Sequence, residues 1–386
     1  MTEPSTDTAV PPMFSVPDAQ LEDLHRRLAS TKWPARWPDR RPGDWTAGAP
    51  ADEVSRLTDR WQHGYDWRRV ERELNALPWG HVDLDGASIS YLHFRAEDAD
   101  ALPIALTNGW PSSFAELVGL ARALSQPAAG TEDNRPGFHV VVPCLPGFPG
   151  SDQSPAFPAA VPTHELWHRL MSKHLGYRRY GAHGGDLGAG TTSLLGQHHP
   201  EHVVGIHLTS VADPAAYDTS TLTADERAYL ADAARWVRDE GAYEHQQMTR
   251  PETLSYGLSD SPVGLLAWIV EKYFAWSDND GTLASVFTDD DILTQASLYW
   301  FTNCIATSFR PYFEHAQGHA PRVDRVEVPT AVAVFPKDLT RPPRSWVERT
   351  YRVERYTVMP RGGHFAAHEV PDLLARDLAA FFAGRS

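Results

Sequence analysis

Residues 184–188 place an aspartate in the setting of a nucleophile elbow. Asp186 lies between two Gly-containing pairs, after a strand-like run (179–183) and before a helix-like run (189–198). The chain turns so sharply at an elbow that the residues two before and two after the nucleophile must be small, and glycine fits both places. A carboxylate at this point favours attack on a saturated carbon, which gives an alkyl ester that water must cleave. The alternative is a Gly-rich turn with an exposed Asp.

A base and an acid that could complete the site follow in chain order. His364 comes soon after the strand-like run 351–358, and the two glycines before it predict a tight loop that can bring the imidazole towards the elbow. Asp338 follows the run 329–335 and is the candidate acid that orients this base. Asp213 is the competitor for the acid, although a helix N-cap or turn role is the simpler interpretation of that residue. The order of nucleophile, acid and histidine is that of the α/β-hydrolase fold.

Two backbone N–H groups are expected to stabilise the oxyanion. One belongs to Leu187, directly after the nucleophile. The other is the N–H of Trp110, in the loop 108–111 that follows the third predicted strand. This loop would be an ordinary turn in another setting. It is interpreted as an oxyanion loop because it lies between a strand and a helix upstream of the elbow.

The elements that must position these residues alternate between strands and helices. Short apolar runs predict buried parallel strands, and helical runs (113–124, 163–175 and 189–198) separate them, which is typical of a doubly wound α/β sheet. We therefore predict an α/β-hydrolase fold with a mostly parallel eight-stranded sheet. The eight predicted strands are 81–84, 88–94, 103–107, 138–143, 179–183, 203–209, 329–335 and 351–358.

Helical patterns before and within this series define the predicted domain organisation. We predict an N-terminal helical region (1–79), a first part of the α/β-hydrolase core (80–212), a helical cap inserted after strand 6 (213–321) and a second part of the core (322–386). The cap is predicted as helical because a structureless loop of that length would be unusual.

Composition excludes several classes of partner. The net charge of −15 argues against nucleic acid, and no apolar run of membrane-spanning length occurs, so no membrane is expected. Cys144 and Cys304 are the two cysteines, and a reducing cytoplasm is the expected location. We expect no cofactor and no metal, because the adjacent His198 and His199 cannot share one helical face and no zinc motif spacing occurs. A homodimer is compatible with the sequence.

Taken together, the residues resemble the epoxide hydrolases of the microsomal type over nearly the whole chain, from about Phe14 to Phe382. The resemblance implies an epoxide and water as substrates, a vicinal diol as product, and two cap tyrosines that protonate the epoxide oxygen. Tyr243 and Tyr312 match those positions, and Tyr256, Tyr273 and Tyr299 are weaker alternatives. The matching motifs are residues 32–34, 65–68 with Glu71 and Asn75, 108–114, 145–148, 260–265, 298–300 and 360–367.

Two positions depart from the family pattern. Asn108 stands where the family usually has His, and Leu187 stands where it usually has Trp. Both backbone donors survive these changes, but the pocket wall loses an indole beside the carboxylate. We therefore expect a roomier site that admits bulky substrates. High Ala, Arg, Asp, Pro and Trp usage resembles that of a high-GC bacterium, where such enzymes often serve detoxification or secondary metabolism.

Two other functions fit the same fold. A haloalkane or haloacid dehalogenase uses the same Asp, His and acid, but its halide needs Trp or Asn N–H donors near the nucleophile. The paired cap tyrosines favour an oxygen leaving group instead. A non-catalytic binding protein on the same fold is the second alternative. The argument against it is that all the expected site positions hold residues that are capable of the chemistry.

Overall fold

The computed structural model describes residues 12–35, 37, 41–127, 135–152 and 161–385. Its strands are β1 (Trp79–Leu84), β2 (Ala87–Phe94), β3 (Pro103–Thr107), β4 (His139–Pro143), β5 (Tyr180–Gly184), β6 (Val203–Leu208), β7 (Val326–Val334) and β8 (Tyr351–Val358). They form one eight-stranded sheet in the order β1-β2-β4-β3-β5-β6-β7-β8. The pairings β1–β2 and β2–β4 are antiparallel and the remaining ones are parallel, which confirms the predicted mostly parallel sheet.

Helices precede the sheet, cover it and form the cap. The N-terminal helices are α1 (Asp18–Ala29), α2 (Ala51–His63) and α3 (Trp67–Asn75). The core carries α4 (Phe114–Ser125), α5 (Thr163–Arg169), α6 (Leu187–His198), α14 (Arg344–Val347), α15 (Ala366–Glu369) and α16 (Pro371–Phe382). Between β6 and β7 lie α7 (Ala224–Glu240), α8 (Ala242–Thr249), α9 (Pro251–Asp260), α10 (Pro262–Trp276), α11 (Asp289–Thr302), α12 (Ile305–Ser308) and α13 (Arg310–Ala316). The exact domain boundaries given above stay a prediction.

The parallel register brings four loops to one edge of the sheet. Thr107 at the end of β3 pairs with Gly184 at the end of β5, and Gly184 pairs with Leu208 at the end of β6. Leu208 in turn pairs with Val332 of β7. Because parallel strands point the same way, the loops after these strands meet at their carboxyl ends, where ligands bind in open α/β sheets.

The buried side chain of Glu71 and the half-buried side chain of Asn75 fold the N-terminal region onto itself. Glu71 accepts hydrogen bonds from Val16 N at 2.7 Å and from Arg68 Nη1 at 2.6 Å. Asn75 exchanges two bonds with the backbone of Phe14, whose N–H donates to Oδ1 at 2.8 Å and whose carbonyl accepts from Nδ2 at 2.7 Å. The bonds to Val16 and Phe14 tie the chain before α1 to α3, because the two residues of each of these bonds lie 55 or 61 positions apart in sequence.

The N-terminal helices are also bonded to the cap. Arg56 of α2 forms an ion pair with Asp289 at 2.6 Å, and Arg60 and Arg69 both reach Asp290, at 2.9 and 2.7 Å. Side chains inside the contact add polar bonds: Trp61 Nε1 donates to Ser297 Oγ at 3.0 Å, and the hydroxyls of Tyr65 and Thr294 lie 3.0 Å apart. The N-terminal region is therefore joined to α11 by both charged and buried contacts.

None of the helices among the described residues combines the length and apolar character that a bilayer crossing demands.

Candidate active site

Asp186 lies at a tight turn between β5 and α6. Its backbone has φ 50° and ψ −128°, a conformation that non-glycine residues rarely adopt and that active sites often retain. A Cβ added at Gly184 would lie 2.2 Å from the Gly188 carbonyl oxygen, and one added at Gly188 would lie 2.1 Å from the Thr107 carbonyl oxygen. Any larger residue at either place would therefore open the turn, as the small-residue rule at an elbow predicts.

The carboxylate of Asp186 is held by the two expected backbone donors. Its Oδ1 accepts a hydrogen bond from Trp110 N at 2.9 Å and another from Leu187 N at 2.7 Å. In the free protein these donors bind a carboxylate oxygen, which stands where the oxyanion of a tetrahedral intermediate would form. The arrangement leaves Oδ2 as the oxygen that is free of these two donors.

The loop that contains Trp110 lies very close to Asp186. A Cβ added at Gly109 would lie 2.3 Å from both Cβ and Oδ1 of Asp186, so only glycine fits there. Asn108 turns back on the loop, because its Nδ2 donates to the Gly109 carbonyl at 3.0 Å. Its buried Oδ1 has no hydrogen-bond partner among the described residues. The change from the usual His therefore leaves the Trp110 N–H in place.

His364 is positioned between two carboxylates. Its Nδ1 lies 2.8 Å from Asp338 Oδ1, and its Nε2 lies 3.6 Å from Asp186 Oδ2. The His364 N–H donates to the Trp276 carbonyl at 2.8 Å, which anchors the loop to the end of α10. Burial lowers the pKa of His364, but the charges of Asp338 and Asp186 outweigh it and raise the pKa to about 9. The raised pKa favours the protonated form of the imidazole at neutral pH.

Asp213 does not take the place of the acid. Its Oδ1 accepts from Trp346 Nε1 at 2.9 Å, and it lines the same cavity as Asp186. Asp338 Oδ1 instead lies 2.8 Å from His364 Nδ1. The same oxygen accepts a hydrogen bond from Leu339 N at 2.7 Å. The geometry thus pairs the imidazole with the carboxylate after β7.

The cap residues Tyr243 and Tyr312 line the same cavity as Asp186. Tyr243 of α8 and Tyr312 of α13 are buried, and their ring centroids lie 6.3 Å apart. Burial and then the charge of Asp186 raise the pKa of both phenols well above the usual range, so both stay protonated. The buried Tyr312 hydroxyl has no hydrogen-bond partner within the part of the chain that the structure describes. A substrate oxygen could supply that partner.

The weaker tyrosine candidates lie elsewhere. Tyr256 is 79% exposed on the surface. Tyr299 donates its hydroxyl to the Ser112 carbonyl at 3.0 Å, and Tyr273 stacks on Phe365 with centroids 4.4 Å apart. None of the three lines the cavity that holds Asp186.

The cavity above Asp186 has a volume of about 920 Å³. Its wall includes Leu187, and apolar residues such as Leu145, Phe148 and Met248 cover other sides. This space exceeds that of many drug-sized ligand sites. It is consistent with the roomy site expected from the missing indole at position 187.

Two carboxyl groups behind His364 were not singled out from the sequence. Glu369 accepts backbone N–H bonds from Asp278 at 2.8 Å, Gly363 at 3.0 Å and Phe365 at 2.9 Å, which fixes the loop that carries His364. Burial raises the pKa of Glu369 to about 7, and burial does the same for Glu116. No local pattern marks Glu369, because its partners come from two separate loops.

A second polar cluster lies on α5 and α6. His164, Glu165 and His198 each offer a ligand atom, and these atoms all lie within 4.8 Å of one another. Spacing within one helix does not reveal this group, because the three residues belong to two helices.

Comparisons with known proteins give the family. The family model "Epoxide hydrolase N terminus" matches residues 10–117. A protein of Stigmatella aurantiaca (strain DW4/3-1) named "Putative epoxide hydrolase" is 39% identical over 96% of this chain and 83% of its own. Epoxide hydrolase 1 of Oryctolagus cuniculus is 30% identical over 94% of this chain and 86% of its own.

Solved structures agree with this assignment. The structure of Aspergillus niger epoxide hydrolase superposes with a TM-score of 0.83 at 30% identity and covers 98% of this chain and 97% of its own. Juvenile hormone epoxide hydrolase from the silkworm Bombyx mori has a TM-score of 0.84 at 24% identity, covers 96% of this chain and 92% of its own, and supports the fold alone. The chain therefore belongs to the epoxide hydrolases of the microsomal type, which are enzymes of the α/β-hydrolase fold.

Proposed function

We propose that the protein opens epoxides through a covalent alkyl ester on Asp186 and releases a vicinal diol. The observation that carries this mechanism is the asymmetric environment of one carboxylate. Asp186 Oδ1 is occupied by two N–H donors, whereas Oδ2 lies 3.6 Å from His364 Nε2, in the cavity that Tyr243 and Tyr312 also line. A carboxylate with one oxygen free and two protonated phenols opposite suits attack on a three-membered ether.

In the first step Asp186 Oδ2 bonds to a ring carbon and the carbon–oxygen bond of the epoxide breaks. The oxygen that leaves takes a proton from a cap tyrosine. The imidazolium of His364 then returns a proton to that tyrosine, so the ester stage has both phenols protonated and a neutral imidazole. Loss of the Asp186 charge favours this transfer, because that charge helps to raise the pKa of His364 to about 9 in the free enzyme.

In the second step water cleaves the ester. Neutral His364 removes a proton from the water, which adds to the Asp186 carboxyl carbon while Trp110 N and Leu187 N bind the oxyanion. Collapse of this intermediate breaks the ester and releases the diol. The products of the cycle are the diol, the charged Asp186 carboxylate and the His364 imidazolium, which restores the starting state. Asp338 orients the imidazole and balances its charge throughout.

The substrate class follows from the cavity. A space of about 920 Å³ with Leu187 in its wall fits a bulky epoxide, such as a natural product or a compound to be detoxified.

Cys144 and Cys304 are both buried free thiols, which supports our proposal of a reducing compartment.

The mechanism is tested on Asp186→Asn and by mass spectrometry of wild type quenched soon after mixing with an epoxide. We expect loss of diol formation in the variant and one substrate mass added to wild type, on the peptide that contains Asp186. Asp85→Asn is a matched control, because Asp85 also has φ 50° but lies in the turn between β1 and β2. Full activity in Asp186→Asn, or no adduct in wild type under trapping conditions, would reject the covalent route.

The dehalogenase alternative has less support from the site. Leu187 offers no indole donor, and the Asn108 amide is directed to the Gly109 carbonyl. Assaying halide release from haloalkanes beside diol formation from epoxides separates the two activities.

A further inference from the structure

A group of histidines lies where the start of α5 meets the end of α6. His164 and Glu165 belong to the first turn of α5, and His198 is the last residue of α6. One ligand-capable atom of each lies within 4.8 Å of the others. We propose that these three side chains form a binding site for a divalent transition-metal ion such as zinc.

The spacing of the donors suits such an ion. His164 Nε2 lies 3.4 Å from Glu165 Oε1. Ligands about 2.0–2.1 Å from a tetrahedral zinc ion are about 3.3–3.4 Å apart, so this pair needs little adjustment. The imidazole rings of His164 and His198 have centroids 4.8 Å apart, and the exposed His198 ring can turn towards the pair. Gln197 Nε2 lies 3.1 Å from His198 Nε2, a contact that the ion would replace.

A surrounding shell orients the carboxylate. His199 Nε2 lies 2.9 Å from Glu165 Oε1, and the His199 ring stacks on His168 with centroids 3.7 Å apart and an interplanar angle of 6°. Such outer contacts fix the direction of a ligand and strengthen its bond to a metal. His164 also lines the substrate cavity, so an ion held here would fix part of its wall.

Zinc binding is measured by titration calorimetry on the full chain after chelator treatment and dialysis. We expect one Zn²⁺ per chain, and affinity lowered about ten-fold or more in His198→Gln and in Glu165→Gln. His202→Gln is the control, because His202 lies beside His168 but outside the three ligands. Cobalt(II) absorbance in the visible range gives a second readout that is independent of enzyme activity.

The affinities of the variants for Zn²⁺ decide whether these three side chains form the site. Binding that is lost in the two ligand variants and kept in His202→Gln supports it. Absence of saturable binding, or equal affinity in all variants, would overturn it. His198 is exposed, so its replacement tests the ligand without disturbing the core.

An independent observation concerns Lys272 of α10, whose ammonium group is buried against the phenol ring of Tyr243. Lys272 is 5% exposed, and its Nζ lies 4.7 Å from the Tyr243 ring centroid and 5.6 Å from that of Trp276. The indole of Trp110 stacks on the same phenol, with centroids 5.3 Å apart and planes at 9°. The ring of this proposed proton donor is therefore in contact with both an indole and a cation.

The cation matters because the phenol changes charge during the reaction. A cation over an aromatic face is attracted more strongly when it is desolvated, and a ring that gains phenolate character attracts it further. Glu271 Oε2 lies 2.5 Å from Lys272 Nζ and forms an ion pair with this ammonium group. We infer that Lys272 stabilises the negative charge that develops on Tyr243 as it protonates the epoxide oxygen. This role rests on the proposed function, and Lys272 acts through Tyr243 as a positioning residue.

The test separates the two half-reactions by rapid quench and mass spectrometry. Lys272→Met should slow ester formation about two- to thirty-fold, which is the size of a cation–π contact at a buried site, and leave ester hydrolysis unchanged. Lys272→Arg should restore most of the rate. In a Tyr243→Phe background the Lys272→Met change should have no further effect, because the group through which it acts is gone.

Three results would contradict this role for Lys272: equal slowing of both half-reactions, an unchanged rate of ester formation, or the same loss in the Tyr243→Phe background. Absence of any ester in wild type would instead contradict the covalent mechanism itself. The two failures are therefore distinguishable.

Discussion

Replacing Asp338 by Asn should separate the charge of the acid from its hydrogen bond. Both donors that reach Asp338, His364 Nδ1 and Leu339 N, meet the same oxygen, at 2.8 and 2.7 Å. An Asn side chain can present its amide oxygen to both donors, so the tautomer and orientation of the imidazole should be kept. The variant then loses the negative charge alone.

The size of the expected loss of rate in Asp338→Asn follows from the pKa of the His364 imidazole. The pKa of His364 is raised from 6.5 to about 9 although burial opposes the shift, and Asp338 is the largest of the favourable causes. A shift of this size corresponds to about 3 kcal/mol of stabilisation of the imidazolium. If the variant lacks all of this stabilisation when the imidazolium forms, the rate falls by about two orders of magnitude. In the ester the Asp186 charge is gone, so Asp338 must supply most of this stabilisation.

The assay is a single-turnover reaction followed by quench and mass spectrometry. In Asp338→Asn we expect ester formation within about three-fold of wild type, hydrolysis about a hundred-fold slower, and therefore an ester that accumulates. Asp338→Ala should be slower still, because it also loses the orienting bond. Asp213→Asn is the control, since an amide oxygen can still accept from Trp346 Nε1. Normal hydrolysis in Asp338→Asn, or a comparable defect in Asp213→Asn, would refute this assignment of the acid.

Further predictions concern the pocket, the oxyanion loop and pH. Leu187→Trp should lower kcat/KM for large aryl epoxides more than for small alkyl ones, and equal losses would contradict the role of this wall. Gly109→Ala should abolish turnover while far-UV circular dichroism stays normal, because the new Cβ would lie 2.3 Å from Asp186 Oδ1; an active variant would show that the loop yields. The pKa of His364 is higher in the folded than in the unfolded chain, so its stabilisation of about 3 kcal/mol is complete below pH ~6.5 and is lost as pH rises through ~9. Tm should therefore fall over this range by more in wild type than in His364→Gln, and parallel curves would contradict the coupling.

The strands could be predicted because their sequences are short apolar runs, but their ends depend on pairing. The run 329–335 corresponds to β7, which begins three residues earlier at Val326. Pro329 lacks an N–H, and the register with β8 shifts between Val326 and Pro329. The strand therefore continues through Pro329, the residue at which the predicted run begins. Pairing with a distant strand, which local sequence does not contain, sets such a boundary.

Helix ends show the same division between local and distant causes. The third helix of the predicted N-terminal helical region begins at Trp67, because the Asp66 side chain accepts a hydrogen bond from Arg69 N at 3.0 Å and caps the helix. The helix expected over 163–175 is α-helical only to Arg169 and continues as a π-helical turn, in which Leu175 N donates to the Leu170 carbonyl at 2.9 Å. No composition signal marks that change in hydrogen bonding.

The positions proposed for the site followed from chain order and turn chemistry, and the structure brings Asp186, Asp338 and His364 together. What could not be predicted is the support around them. The hydrogen bond from Asp278 N to Glu369, the contact of Lys272 with Tyr243 and the meeting of His164 with His198 all join segments that are remote in sequence. Such contacts depend on the finished packing of the chain.

The contacts between the N-terminal helices and α11 have a consequence for how substrate is received. Arg56, Arg60 and Trp61 hold the first turn and the middle of that helix from outside. Tyr299, two residues after the Ser297 that Trp61 contacts, donates to the Ser112 carbonyl in the segment that follows Trp110. The loop 108–111 and the cap are thus assembled when the chain folds, and the entropic cost of ordering them does not fall on each encounter with an epoxide. For small apolar substrates, which have little binding energy to offer, this advance assembly matters most.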